Sequence, residues 1–217
     1  MRTIFEFLDY YRLPGISGVI QVGASVGQEI DLFVGGGIGH AIMIEPLPEP
    51  YGVLAARCQS YTNFLPLNCL VGSETGKLQT IHIASNFGQS SSILFPTRHK
   101  DVYPSITFEK TLELQSFSLD HVLAYVGNNF PSMPKAFELL FIDVQGAELE
   151  VLKGASQTLQ NIKYIYTEVA LGSDYKNAAP YSKIIEYLEC FGFMLCEFEL
   201  DPNEIAHGNA IFSRRLG

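Results

Sequence analysis

Three acidic residues in this chain fall at or near the ends of apolar runs, Glu45, Asp143 and Glu168, and a fourth, Glu148, follows Asp143 at the start of the next helix. A carboxylate beside a buried strand end is costly unless it has a partner or a task, so each is a candidate for chemistry. Glu45 closes the run His40-Ala41-Ile42-Met43-Ile44, the place where nucleotide folds set an acid on ribose hydroxyls. Asp143 ends a strongly apolar run and Glu168 lies near the end of another. If their strands are neighbours, the two can share a task, including Mg²⁺ held between them; metal-free positioning is the preferred reading. For proton transfer the candidates are Glu148, Glu168 and His99, with His121 behind them. Each also has a plainer reading. Glu148 is a first-turn helix residue favoured by the dipole, Glu168 can pair with a lysine, and Asp143 can cap the turn before the next helix. His82 and His121, taken alone, read as structural or surface residues.

These groups need a frame, and the stretch Val-Ile-Gln-Val-Gly-Ala-Ser-Val-Gly from Val19 to Gly27 provides it. It reads as a buried strand, a tight glycine turn and a helix, with Gly23 making the turn and Gly27 a close approach. The glycines are spaced G-x-x-x-G with Ala24 and Ser25 inside, not the G-x-G-x-x-G of a pyrophosphate cradle. The looser spacing suits S-adenosylmethionine (SAM), which has no phosphate. With Glu45 at nucleoside distance, the pattern points to a nucleoside-type cofactor.

The remaining elements alternate. Residues 3–11 form a short docking helix with Ile4, Phe7, Leu8 and Tyr11 on one face. Strands are expected at 18–22, 40–44, 64–71, 137–144, 162–169, 193–200 and 210–214, with further extended pieces at 78–84 and 110–117. Helices are expected at 28–34, from the prolines 46–50 to about residue 60, and at 119–126, 147–159 and 181–191. Residues 85–101 make a long polar loop that serves as a lid or as plain surface. This order predicts an α/β fold: a Rossmann-like, doubly wound, mostly parallel sheet of seven strands. No helix separates the last two strands, so an antiparallel edge strand is allowed. One domain over residues 1–217 is expected, with residues 1–15 as its docking segment.

Composition narrows the function classes. The net charge of −9, with no Lys/Arg-rich run, argues against nucleic acid as partner. The four cysteines form no C-x-x-C pair and no zinc spacing, so no metal is expected. They read as thiols of a reducing compartment. No secretory leader and no run of membrane-spanning length is seen. A cytoplasmic protein without membrane insertion is expected.

From Phe141 to Ala155 the chain reads Phe-Ile-Asp-Val-Gln-Gly-Ala-Glu-Leu-Glu-Val-Leu-Lys-Gly-Ala. This strongly resembles the FkbM family of SAM-dependent methyltransferases, whose signature is I-D-V-Q/E-G-x-E-x-x-V-L-x-G. Other matches follow in order: the Val-Gly-Ala-x-x-Gly-Gln turn, Glu45-Pro46, Ser118-Leu119-Asp120, Glu168-Val169 and Ala210-Ile211-Phe212. The resemblance implies a class I methyltransferase acting on a hydroxyl of a sugar, glycan or secondary metabolite, with S-adenosylhomocysteine as the cofactor's product. It also implies a site in which Gln21, Gly23, Ala24, Ser25 and Gly27 pass the methionine end and Glu45 and Pro46 hold the ribose. Val71 and Gly72 would flank adenine, and Asp143 and Gln145 would face the methionine end and the acceptor. Two positions depart from the family: Gln21 stands where Asp is usual, and Ser25 where Asn is common. An amide accepts a hydrogen bond with less Coulomb attraction than a carboxylate, so a methyltransferase fold that binds without turnover is the alternative. A nicotinamide oxidoreductase is disfavoured by the glycine spacing.

Overall fold

Strands buried on both faces read as near-continuous apolar runs. In the computed structural model, which describes residues 3–10, 15–170, 174–200 and 207–214, three strands are buried in this way and are apolar but for Gln21 in the first and His40 at the start of the second. They are β1 (Gly18–Val22), β2 (His40–Ile44), partly exposed only at its first residue, and β7 (Leu139–Ile142). With β3 (Phe64–Leu67), β8 (Tyr164–Ala170), β9 (Phe193–Leu200) and β10 (His207–Arg214) they form a seven-stranded sheet of order β3-β2-β1-β7-β8-β10-β9. The pairs β3·β2, β2·β1, β1·β7 and β7·β8 are parallel. At the far edge β10 runs antiparallel between β8 and β9, so the antiparallel element is the strand next to the outermost one.

Helices cover both faces. Ile4, Phe7 and Leu8 of α1 (Ile4–Tyr10), Ile30 and Phe33 of α2 (Ile30–Gly35), and Leu54 and Cys58 of α3 (Pro48–Cys58) pack with Val19, Ala41, Met43, Leu139 and Phe141. Behind the sheet, Ile20, Val22, Ile42, Ile44, Leu140 and Ile142 meet α5 (Leu119–Asn129), α6 (Glu148–Lys153) and α7 (Tyr181–Glu189). The doubly wound α/β fold is as expected. Helix α1 starts with a reciprocal cap: Thr3 N–H donates to Glu6 Oε2 (2.7 Å) and Glu6 N–H to Thr3 Oγ1 (3.2 Å). Tyr11, expected on its buried face, lies outside the described residues.

Three elements differ from the sequence reading. The strand expected over 64–71 is two. Asn68 Nδ2 donates to the Glu45 and Pro46 carbonyls (2.9 and 3.0 Å), and the chain leaves the main sheet there. Leu70–Val71 (β4) instead joins a small second sheet, order β4-β6-β5, with β5 (Leu78–Ile83) and β6 (Lys110–Phe117). The helix expected over 147–159 stops at Lys153. Asp120 accepts from Gln157 N–H and from the N–H and hydroxyl of Thr158, seeding a separate 3₁₀ turn at Thr158–Gln160. The polar stretch 85–101 is built rather than loose: it carries a bridge to β5 at His82–Ser92 and the start of a short helix, α4 (His99–Val102).

Candidate active site

Register aligns the site. Val22 pairs with Ile44 and with Ile142, and Ile142 pairs with Thr167. The next residue on each strand is Gly23, Glu45, Asp143 or Glu168, so one row across the carboxyl ends of four parallel strands carries three acids and a glycine. Such ends are where open α/β sheets bind ligands.

Gly23 adopts φ +86°, and a Cβ there would sit 1.7 Å from the Asp143 carbonyl oxygen. Only glycine lets β1 turn this close to β7. The N–H groups of Gly23 and Ala24 both donate to the Ile44 carbonyl (3.0 and 2.9 Å), and Gly27 turns at φ +79° against Ile30 and Leu54. Ser25 N–H then donates to Glu45 Oε2 (2.9 Å), and Leu47 N–H to Glu45 Oε1 (2.8 Å). Burial pushes the Glu45 carboxyl up to about 7, against those two hydrogen bonds, which lower it.

Asp143 and Glu168 meet through Gln145. Its Nε2 donates to Asp143 Oδ1 (2.8 Å) and to Glu168 Oε2 (3.0 Å), from a backbone held at φ +54°, a region few non-glycine residues occupy. Burial, then the adjacent Glu168 charge, raises the Asp143 carboxyl well above the ordinary aspartate range. Two carboxyl groups so placed cannot both ionise cheaply. Tyr175 supports Gln145 from behind: its hydroxyl donates to the Ser90 carbonyl (2.7 Å) and lies 3.3 Å from Gln145 Oε1.

A cavity of about 360 Å³ opens above this row, within the size range of small-molecule sites. Ser25, Glu45, Pro46, Val71, Asp143, Gln145, Glu168 and His99 all reach its wall, as does Gly23. Gln21, Ala24, Gly27 and Gly72 stand behind it; they shape the wall without facing the cavity. Glu148 is likewise set back. It is 2% exposed, and its Oε1 accepts from Gly146 N–H (2.9 Å) and Val144 N–H (3.3 Å). It ties down the turn after β7, and burial pushes its carboxyl up to about 7. His99 is buried among Tyr103, Phe108 and Tyr175, with ring centroids 5.0–5.6 Å away. His121 is placed elsewhere, stacked on Phe117.

The sequence reading missed Glu29, Ser90 and Tyr175. Glu29 lies on the cavity wall and accepts from Gln21 Nε2 (2.7 Å), but in sequence it reads as one more polar residue at a helix start. Among the described residues the wall carries Glu29, Glu45, Asp143 and Glu168 and neither lysine nor arginine. Also among the described residues, no group of three or more His, Cys, Asp or Glu is placed to hold a metal ion, and no helix is long and apolar enough to cross a membrane.

A seven-stranded sheet, parallel but for β10, with a glycine turn at β1 and acids at the ends of β2, β7 and β8, defines a Rossmann-like, doubly wound α/β fold. The methyltransferase FkbM domain pattern matches residues 21–195, and the chain belongs to the FkbM methyltransferase family. It is similar to the 2-O-methyltransferase NoeI of Sinorhizobium fredii (strain NBRC 101917 / NGR234), with 27% identity over 155 residues. That match covers 66% of this chain and 60% of the relative's length. Among solved structures, the magnesium protoporphyrin IX methyltransferase of Synechocystis PCC 6803, with bound SAM, has a TM-score of 0.53 at 11% identity, covering 97% of this chain and 76% of that one. The ribosomal protein L11 methylase of Lactobacillus delbrueckii subsp. bulgaricus has a TM-score of 0.52 at 9% identity, covering 96% and 75%. These likenesses are of fold.

Proposed function

We propose that this protein is a SAM-dependent O-methyltransferase acting on a free hydroxyl of a sugar, glycan or secondary metabolite. The observation that carries the reading is the acidic character of the cavity: four acidic side chains on its wall and no lysine or arginine among the described residues. SAM is a net cation, with a sulfonium and an ammonium against one carboxylate. A dinucleotide would bring two negative phosphates against the same wall, where Coulomb repulsion opposes it. Ser25, on the cavity wall, carries a buried hydroxyl with no hydrogen-bond partner, and a ligand rich in donors and acceptors can supply one. The residues present fit SAM.

Glu45, fixed by two backbone N–H groups, keeps lone pairs for the ribose diol. Ser25 and the Gly23 turn pass the methionine end, and Val71 borders the adenine. When bound, SAM supplies an activated methyl group on a sulfonium. The Asp143–Glu168 pair orients the acceptor hydroxyl and takes its proton. Membership of the FkbM family and the likeness to a 2-O-methyltransferase support oxygen as the atom methylated.

Calorimetry with SAM, S-adenosylhomocysteine and NAD tests the reading. Binding of the first two and not the third is expected. A folded protein that binds neither SAM nor its product overturns it. Transfer of a labelled methyl group to a panel of hydroxylated glycans and metabolites then separates an enzyme from a protein that binds without turnover.

A further inference from the structure

Tyr175 is a buried titratable side chain that the proton transfer itself does not use. It is 1% exposed. Burial, then the nearby Glu168 charge, raises its phenol far above the ordinary tyrosine range, so the hydroxyl keeps its proton. That hydroxyl donates to the Ser90 carbonyl (2.7 Å) and lies 3.3 Å from Gln145 Oε1. The backbone around Tyr175 is fixed on both sides. Thr97 N–H donates to the Asp174 carbonyl (2.7 Å) and Lys176 N–H to the Phe95 carbonyl (2.8 Å), and Pro96 and Tyr175 form an antiparallel bridge. Gln145, by contrast, sits at φ +54° beside Gly146 at φ +93°. Both hydrogens of its Nε2 are committed, one to Asp143 and one to Glu168.

We propose that Tyr175 is a positioning residue: its hydroxyl holds the Gln145 amide in place against the Asp143–Glu168 pair while the charge on that pair changes. The inference rests on the O-methyltransferase reading and deepens it by adding a residue on the acceptor side. In that reading the pair takes a proton from the acceptor hydroxyl. A carboxylate that gains a proton turns from pure acceptor into part donor. Gln145 then loses strength in a contact to the pair at the moment when geometry matters most. Its Oε1 is the end of the amide turned away from the acids, and Tyr175, within reach of that end, keeps one protonation state throughout. The same hydroxyl ties the stretch 85–101, through Ser90 on the cavity wall, to the acids. Tyr175 thus acts on the reacting groups through Gln145 and touches neither of them.

Two measurements test the role, with melting to show that each protein is folded. The first needs no acceptor: solvent exchange of the Gln145 side-chain NH₂, read by proton–nitrogen NMR on nitrogen-labelled wild type and Tyr175→Phe. Phenylalanine keeps the ring and removes only the hydroxyl. Exchange in the variant is expected to be roughly three- to tenfold faster, the scale of one neutral hydrogen bond. Unchanged exchange overturns the role alone. The second is a double-mutant cycle on methyl transfer from labelled SAM to the best acceptor of the glycan and metabolite panel. Tyr175→Phe is expected to lower kcat by a similar factor and to leave the KM for SAM unchanged. In a Gln145→Ala background it is expected to lower kcat no further, because a residue that acts through Gln145 then has nothing to hold. Losses that multiply overturn the role, as does a change confined to KM. A folded wild type that binds neither SAM nor S-adenosylhomocysteine, or that transfers no methyl group, overturns the O-methyltransferase reading and this role with it.

Discussion

Asp143 and Glu168 accept hydrogen bonds from a single nitrogen, Nε2 of Gln145, at 2.8 and 3.0 Å. Two carboxyl groups brought together in this way from neighbouring parallel strands cannot both ionise cheaply. The structure keeps them there, at the mouth of a cavity, rather than replacing one with a neutral residue.

Asp143→Asn separates use from architecture. The amide is the same size, can still accept from Gln145, and removes one of two like charges, so melting should be unchanged or slightly higher. Turnover on an accepted hydroxyl should fall by roughly two orders of magnitude or more, the range for a lost acid–base or electrostatic group. Full activity in the folded variant would remove Asp143 from the reacting groups.

Glu45→Ala should weaken S-adenosylhomocysteine binding by about 1.5–3 kcal/mol through loss of a charge-assisted hydrogen bond. The same change leaves the Ser25 and Leu47 N–H groups without their acceptor. The melting temperature should therefore drop as well, and the ligand should stabilise the variant less than wild type in a thermal-shift titration.

Glu148→Gln should flatten the pH profile of stability. The folded Glu148 carboxyl sits near 7, above its ordinary value of 4.5. The native state thus binds more protons than the unfolded chain across that window, and stability is greatest below it and declines as pH rises towards 7. Glutamine cannot ionise, yet its oxygen can accept from Gly146 and Val144 as the carboxylate does. Above pH 7 the variant should be the more stable protein, by an amount on the order of 3 kcal/mol. Denaturant titrations at pH 5, 6, 7 and 8 will show the two curves diverging with pH; parallel curves would refute the buried ionisation.

The stretch 85–101 should resist hydrogen exchange before any ligand is added at the amides that have partners. Ser92 N–H donates to the His82 carbonyl and Thr97 N–H to the Asp174 carbonyl, at 3.3 and 2.7 Å. Tyr175→Phe removes the bond to the Ser90 carbonyl and should speed exchange around residues 88–92, reflecting a loss of about 0.5–1.5 kcal/mol. Rapid exchange of Ser92 and Thr97 in the wild-type protein would restore the picture of a free lid.

The sheet was legible because strands buried on both faces cannot hide: Ile42 and Leu140 sit in unbroken apolar runs, and Ile20 in a run broken only by Gln21. Glu45 and Asp143, which the structure places on the cavity wall, were legible as candidates because each ends such a run. What escaped depended on side chains reaching across the fold. Asn68 bends the third strand away by bonding the Glu45 and Pro46 carbonyls, and Asp120 cuts a helix short from 37 and 38 residues away. Glu29 reads as an ordinary helix-start residue until Gln21 is seen against it. Glu148 belongs to the signature, yet its carboxylate serves local backbone. A motif residue need not touch a ligand to be required by the geometry.

The place of β10 has a consequence for how the chain is made. Strand β9 has no partner in the sheet until β10 enters between it and β8, pairing Ile211 with both Tyr166 and Glu197. While the polypeptide is being synthesised, β8 and β9 are already present with open edges, and such edges invite association with other chains. Residues 207–214 act as the closing wedge. Until they arrive, the seven-stranded sheet stops at β8, and the helices on its faces cover a platform two strands short.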